Sequence, residues 1–180
     1  MPKPRIIGGS AKGRALETPE RGTRPSPSRL REALFDIVAF EPRGRFLDLY
    51  AGSGAMGLEA ASRGWDAVCV ELSGPASDVI RRNARALSLD VEVVKGDALG
   101  YVRAHPASFD VVCAAPPYPL DLDAVFDAIL TSGSATAGGL YVLQHPSGMA
   151  VRVPDGVSAA EPRVKRYGSN SLTLVRAVSG

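Results

Sequence analysis

Between residues 48 and 57 the chain reads Asp48-Leu-Tyr-Ala-Gly52-Ser-Gly54-Ala-Met-Gly57, with three glycines at G-x-G-x-x-G spacing between an apolar run and a helical one. Without a Cβ, glycine lets the backbone take positive φ and lets a ligand approach the peptide plane, while the helix that follows presents free N–H groups. The next apolar run, DAVCVE, ends in Glu71, whose two carboxylate oxygens can accept both hydroxyls of a ribose; an exposed acid at a strand end is the plainer reading. Asp97, in Lys95-Gly96-Asp97-Ala98, ends the third run. It can accept a hydrogen bond from the exocyclic amine of adenine, cap the helix that starts at Ala98, or do both. A Gly loop and two acids at successive strand ends suit a ligand that contains adenosine.

A second segment of the same kind, Ala115-Pro116-Pro117-Tyr118-Pro119, follows the run FDVVCAA. Its prolines fix φ and remove N–H donors, which leaves rigid carbonyls, and Tyr118 offers an aromatic face for a planar base. A proline turn with a packed tyrosine is the alternative. NAD and S-adenosylmethionine both carry adenosine, but hydride transfer has no need of such a turn, so an NAD-binding oxidoreductase is the weaker reading. Gly8 and Gly13 have the Walker A separation, yet Arg14 and Ala15 stand where Lys and Ser/Thr belong, which disfavours phosphoryl transfer from ATP.

Positioning these loops requires strands and helices in alternation. Strands are expected at 45–50, 66–71, 91–95, 109–115 and 138–145, with helices at 55–63, 75–88, 98–104 and about 121–131. Residues 163–167 and 171–177 flank Gly168-Ser169-Asn170 and read as an antiparallel hairpin. The sum is an α/β fold with a Rossmann-like, mostly parallel seven-stranded sheet. Upstream, residues 4–8 and 14–18 read as a short β-hairpin, and a helix is signalled from Ser26 at N-cap and Pro27 at N1, with Leu30, Leu34, Ile37 and Val38 on one stripe up to Pro42. Residues 1–28 therefore read as a basic N-terminal hairpin and arm appended to a domain at 29–180.

Composition is that of an ordinary globular domain, with 45% hydrophobic and 22% charged residues in 180. The net charge of +2 conceals an imbalance: residues 1–31 carry eight basic and two acidic side chains, a net of +6, which leaves −4 for the rest. Such a block either tracks a polyanion or forms a solvated face. Cys69 and Cys113 lie in apolar runs without metal-ligand spacing and read as buried hydrophobes, and no metal site is expected. No apolar stretch approaches the ~18 residues a membrane span needs, so a cytoplasmic protein without a membrane partner is expected. Of the two histidines, His145, at the end of the fifth strand, is the better functional candidate.

RIIGGSAKGRAL, TRPSPSRLREALFDIV, LDLYAGSGAMGLEAASRG, VE, IRRNA, GDA, PPY and RYGSNSLTLVR occur in that order and nearly end to end. Together they resemble the bacterial ribosomal RNA small-subunit methyltransferase D family. The resemblance implies a class I fold and S-adenosylmethionine-dependent methylation of guanine N2 in 16S rRNA, within a partly assembled 30S subunit. It further implies a methionine-side pocket of Asp48, Ala51, Gly52, Ser53 and Gly54, a ribose contact at Glu71, and an adenine contact at Asp97 and Ala98. Thr23-Arg24-Pro25 resembles the segment that closes over the cofactor, with Arg24 facing its carboxylate. Lys3, Arg5, Lys12, Arg14, Arg29 and Arg31 become expected phosphate contacts, with Arg163, Lys165 and Arg166 as a second patch, and removal of residues 1–20 is expected to cost RNA affinity alone. A monomer is expected.

The catalytic segment would be Ala115, Pro116, Pro117 and Tyr118. The family has Asp-Pro-Pro-Tyr there, so a carboxylate that would hold the target amine is missing at Ala115. Loss of one such hydrogen bond costs ~10²–10³ in rate. Impaired catalysis, with the chain acting as an RNA-binding assembly factor, is the alternative reading.

Overall fold

The structure is a computed structural model that describes residues 3–20 and 27–178. Seven strands form a mostly parallel sheet in the order β3-β2-β1-β4-β5-β7-β6, and the chain divides into two compact units at Gly96/Asp97.

In the first unit, β1 (Arg45–Leu49), β2 (Asp66–Glu71) and β3 (Val91–Lys95) pair in parallel. Apart from Asp48, the interiors of β1 and β2 are apolar, and both are buried, as strands covered on both faces must be. Three helices belong here: α1 (Ser28–Val38), α2 (Ala55–Ser62) and α3 (Gly74–Ala86). Ser73 caps α3 by accepting the Ala76 N–H, and Pro75 occupies its first turn. The helix then buries Ala76, Val79, Ile80 and Ala84. In α1 the buried stripe is Leu30, Leu34, Phe35 and Val38, where Phe35 stacks on Phe46 of β1; Ile37 is only half-buried, and the helix ends before Pro42. Pro27 stands at its N-cap, and the expected cap Ser26 lies outside the described residues.

The N-terminal segment is part of this unit's core. One bridge, Arg5 to Ala15, stands where two hairpin strands are expected. Ile6, Ala11 and Leu16 pack with Ala55 and Leu58 of α2 and with Ala84 and Leu87. The Glu59 carboxylate accepts the Ile7 and Gly8 N–H groups at 2.9 Å each and the Arg63 Nε–H at 2.9 Å. Ser62 Oγ accepts the Ala11 N–H and donates to the Gly8 carbonyl, while Asn83 bonds both backbone groups of Glu17.

In the second unit, α4 (Ala98–Ala104) leads to β4 (Phe109–Ala114), followed by α5 (Leu122–Thr131), β5 (Ala135–Pro146), β6 (Arg163–Tyr167) and β7 (Asn170–Arg176). Strands β4 and β5 are parallel, β5 and β7 antiparallel, and β6 closes a hairpin on β7 across Gly168-Ser169. Strand β5 starts at Ala135, three residues ahead of the expected 138, and its pairing with β4 shifts register between Phe109 and Val111. Both cysteines are buried and unbridged.

At Gly57, α2 approaches β2 so closely that a Cβ would collide with the Cys69 sulfur, whose fixed position on the strand leaves it no retreat. Gly57→Ala should therefore destabilise the chain by about 1–3 kcal/mol, an overpacking cost. Urea unfolding would read this as a lower midpoint at unchanged slope, and a wild-type midpoint would contradict it.

Candidate functional site

Strand β1 ends at Leu49 and the chain turns sharply into α2. Tyr50 and Gly52 both have φ 58°, and Gly54, at φ 81°, is the left-handed N-cap of α2. A Cβ at Gly54 would lie 2.9 Å from Ile80 Cγ2, so close packing adds to the backbone demand for glycine there. The Gly54 N–H closes the turn on the Ala51 carbonyl at 2.8 Å, and the Ala51 N–H bonds the Val70 carbonyl. Ala51, Ser53 and Gly54 are buried, and Gly52 is half-buried.

Two carboxylates hold this turn from either end. Glu71 accepts the Gly52 N–H through Oε1 and the Ser73 N–H through Oε2, both at 2.8 Å. Each oxygen retains a second lone pair, so the half-buried carboxylate can take two more hydrogen bonds. Asp48, 2% exposed, accepts the Gly57 N–H at 2.9 Å and a weak bond from the Cys69 thiol at 3.9 Å. Burial pushes the Asp48 carboxyl up to about 7, against the Gly57 N–H, and the nearby Glu71 charge adds to the rise. Burial and Asp48 likewise keep Cys69 a thiol.

In the second unit, Asp97 is the N-cap of α4 and accepts the Gly100 N–H at 2.9 Å, so the capping role holds; Ala98 is buried behind it. After β4, Ala115 is half-buried, Pro116 buried, and Pro117 and Tyr118 exposed. The Tyr118 phenol donates to Asn170 Oδ1 at the start of β7 and also bonds the Gln144 side chain. Burial raises the phenol's pKa, and the Gln144 bond opposes the rise. Asn170 was not among the expected site residues; its only signal is a polar side chain directly after the Gly168-Ser169 turn. His145 is not presented to any ligand: it is 1% exposed, with Nε2 bonded to Thr173 Oγ1 at 2.7 Å and Nδ1 to the Pro146 carbonyl.

Among the expected phosphate contacts, Lys3, Arg5, Lys12, Arg14 and Arg29 are exposed. Arg31 is not. It is 0% exposed, lies 3.5 Å from the Glu59 carboxylate and donates to the Arg5 carbonyl at 2.6 Å, so it braces the N-terminal segment from inside and cannot reach a phosphate. Burial lowers its pKa, partly offset by Glu59. Lys3 also lines a groove of about 500 Å³ together with Arg82 and Arg85 of α3; Arg82 lies in the IRRNA run and Arg85 directly after it, and neither is among the expected phosphate contacts. Arg24 lies outside the described residues. No helix among them is long and apolar enough to cross a membrane, and none of their His, Cys, Asp and Glu side chains cluster as a metal site.

The Asp48 shift has a stability consequence. An unfolded aspartate loses its proton near pH 4 and the folded one near 7, so stability present at low pH is lost as pH rises through that window. Asp48→Asn keeps an oxygen for the Gly57 N–H but cannot ionise. Relative to that variant, the wild type should lose about 3–5 kcal/mol between pH 4 and 8 in urea titrations. A pH-independent difference would contradict the burial of an ionisable Asp48.

A family model described as "Conserved hypothetical protein 95" matches residues 4–176. The ribosomal RNA small subunit methyltransferase D of Escherichia coli K12 is 36% identical over 118 residues, which are 63% of this chain and 60% of that protein. Among solved structures, a hypothetical protein from Thermus thermophilus has a TM-score of 0.83 at 46% identity, covering 95% of this chain and 98% of its own. An RNA methyltransferase from Salinibacter ruber, solved in complex with S-adenosyl-L-homocysteine, shares the fold at TM-score 0.66 and 17% identity, covering 87% of this chain and 95% of its own. A match running from the N-terminal segment through β7, over the Gly loop, Glu71 and the proline turn alike, leaves one assignment: the chain belongs to the ribosomal RNA small subunit methyltransferase D family.

Proposed function

We propose that this chain transfers a methyl group from S-adenosylmethionine to the exocyclic N2 of a guanine in 16S rRNA, acting as a cytoplasmic monomer on a partly assembled 30S subunit. The observation that carries the reading is the Gly loop tied to Glu71. The two amides take one lone pair from each Glu71 oxygen and leave the carboxylate oriented, with a second pair on each oxygen for the ribose diol. Ala51, Gly52, Ser53 and Gly54 supply the close-approach surface for the methionine portion, and Asp97 and Ala98 the adenine contact. Arg24 is the partner proposed for the methionine carboxylate.

When bound, the cofactor supplies an electrophilic methyl carbon on a sulfonium. The residues of this chain hold the nucleophile. Guanine N2 is conjugated with its ring and becomes nucleophilic only when acceptors hold its hydrogens and let the nitrogen pyramidalise. The Pro116 carbonyl is one such acceptor, and Tyr118 is the stacking face. Held in this way, N2 would attack in line with the methyl–sulfur bond, whose electron pair would pass to sulfur, and the amine would then lose one proton to water. Positioning carries most of the acceleration, so no general base is needed.

Lys3, Arg5, Lys12, Arg14 and Arg29 are the proposed phosphate contacts, joined by Arg82 and Arg85 on the same unit. Arg163, Lys165 and Arg166 on edge strand β6 form the second patch, although charge on an edge strand also serves to block pairing with other chains. Deleting residues 1–20 would remove Ile6, Ala11, Leu16 and the partners of Glu59, and so would cost folding as well as RNA affinity. Charge removal is the cleaner test. Lys12→Ala with Arg14→Ala should weaken RNA binding about equally for all sequences and reduce the slope of log K against log salt by ~1–2, while cofactor affinity stays constant. An unchanged slope would remove these residues from the interface.

The reaction itself is tested with 30S particles that lack the modification and labelled S-adenosylmethionine, followed by nucleoside analysis. N2-methylguanosine is the expected product. Label on another base would overturn the guanine-N2 assignment. Ala115 favours a second reading, a methyltransferase fold retained for 30S assembly; cofactor and RNA binding without transfer would support it.

A further inference from the structure

Ala115 leaves the target amine one acceptor short, and an acceptor without a partner lies one strand away. The β4–β5 register pairs Ala114 with Leu143, which sets Gln144 level with Ala115. Gln144 is 9% exposed, and its Oε1 is buried with no hydrogen-bond partner. The other end of the same amide is engaged: Tyr118 donates its phenol hydrogen to Asn170 Oδ1, so the Gln144 bond to that phenol is a donation from Nε2. With Nε2 turned to Tyr118, Oε1 is the orphan. An uncompensated buried carbonyl is costly and rare in a native fold.

The geometry points to Gln144 Oε1 as the acceptor that takes one N–H of the target amine in place of the carboxylate missing at Ala115. The inference rests on the proposed amine methylation. The Pro116 carbonyl takes the second N–H, and the two bonds together turn the N2 lone pair toward the methyl carbon. Tyr118, which is 46% exposed, is the solvent-facing partner. Docking of a base on its ring draws the phenol away from Gln144 and opens the amide to the incoming amine. An amide carbonyl does not take up the proton, so the N2 proton leaves to water after the N–C bond has formed and the C–S pair has passed to sulfur. Gln144 is thereby a catalytic residue by contact, not a base.

The test is single-turnover methylation of unmodified 30S particles, with cofactor and RNA affinities measured in parallel. Gln144→Leu should lower the transfer rate by ~10²–10³ with both affinities within twofold of wild type. Adding Ala115→Asp to that variant should restore at least tenfold, a larger gain than Ala115→Asp gives in the wild-type background. Tyr118→Phe, which keeps the ring and removes the phenol that Gln144 holds, should lose less than tenfold. If the leucine variant does not fold, Gln144→Met is read the same way.

Three results overturn the assignment: a Gln144→Leu rate within threefold of wild type, no rescue by Ala115→Asp, or a loss in Tyr118→Phe as large as in Gln144→Leu, which would reduce Gln144 to a prop for the tyrosine. Failure of the proposed function looks different. If wild type binds cofactor and RNA without transferring methyl, activity in Ala115→Asp overturns the role of Gln144 alone, whereas inactivity in both overturns the methylation reading and this role with it.

Discussion

A five-residue turn between β1 and α2 is held by carboxylates on both sides, and the site in the first unit depends on that restraint. Glu71 takes the Gly52 amide and Asp48 the Gly57 amide, so the glycine backbone, free to sample many conformations in the unfolded chain, is fixed in one. Both acids come from strand ends, Asp48 from β1 and Glu71 from β2, and the parallel register that pairs Asp48 with Cys69 sets their spacing. The cost appears at Asp48, whose burial raises its pKa toward neutrality. Glu71 is half-exposed and keeps free lone pairs, whereas Asp48 is sealed beneath the turn; one acid is open to the proposed ribose contact while the other braces the loop.

A second buried carboxylate ties the basic N-terminal segment to the same helix. Glu59 on α2 accepts two backbone amides from Ile7 and Gly8 and faces Arg31 and Arg63. Removing one partner from such a group leaves a buried charge uncompensated, which costs more than the intact pair contributes. The arm that carries Lys12 and Arg14 is therefore rigidly seated over α2 and α3 rather than tethered. Among the described bases of this stretch, Lys3, Arg5, Lys12, Arg14 and Arg29 are exposed and Arg31 lies in the interior.

Much of this was legible in the order of residues. Strands β2, β3 and β6 fall at the expected positions because each is an apolar or alternating run bounded by turn residues, and α4 and its Asp97 cap follow from a local pattern. What escaped depends on partners distant in the chain. Arg31 reads as a surface base until Glu59, 28 positions on, is brought beside it, and the pairing of Tyr118 with Asn170 spans 52 positions. The early start of β5 escaped for a related reason, since an irregularity in its pairing with β4 leaves no trace in periodicity. His145 looked available at a strand end, but Thr173 and the edge of the Phe126 ring enclose it.

The most direct measurement is the affinity of Glu71→Ala for S-adenosylhomocysteine by calorimetry, with folding checked by circular dichroism. The variant loses both the orientation of the Gly loop and the acceptors proposed for the ribose diol. Each hydrogen bond to a charged acceptor is worth about 1.5–3 kcal/mol, so the Kd should rise at least tenfold in a folded chain. A folded Glu71→Ala that binds as tightly as wild type would contradict the claim that the clamped glycine turn is the cofactor site.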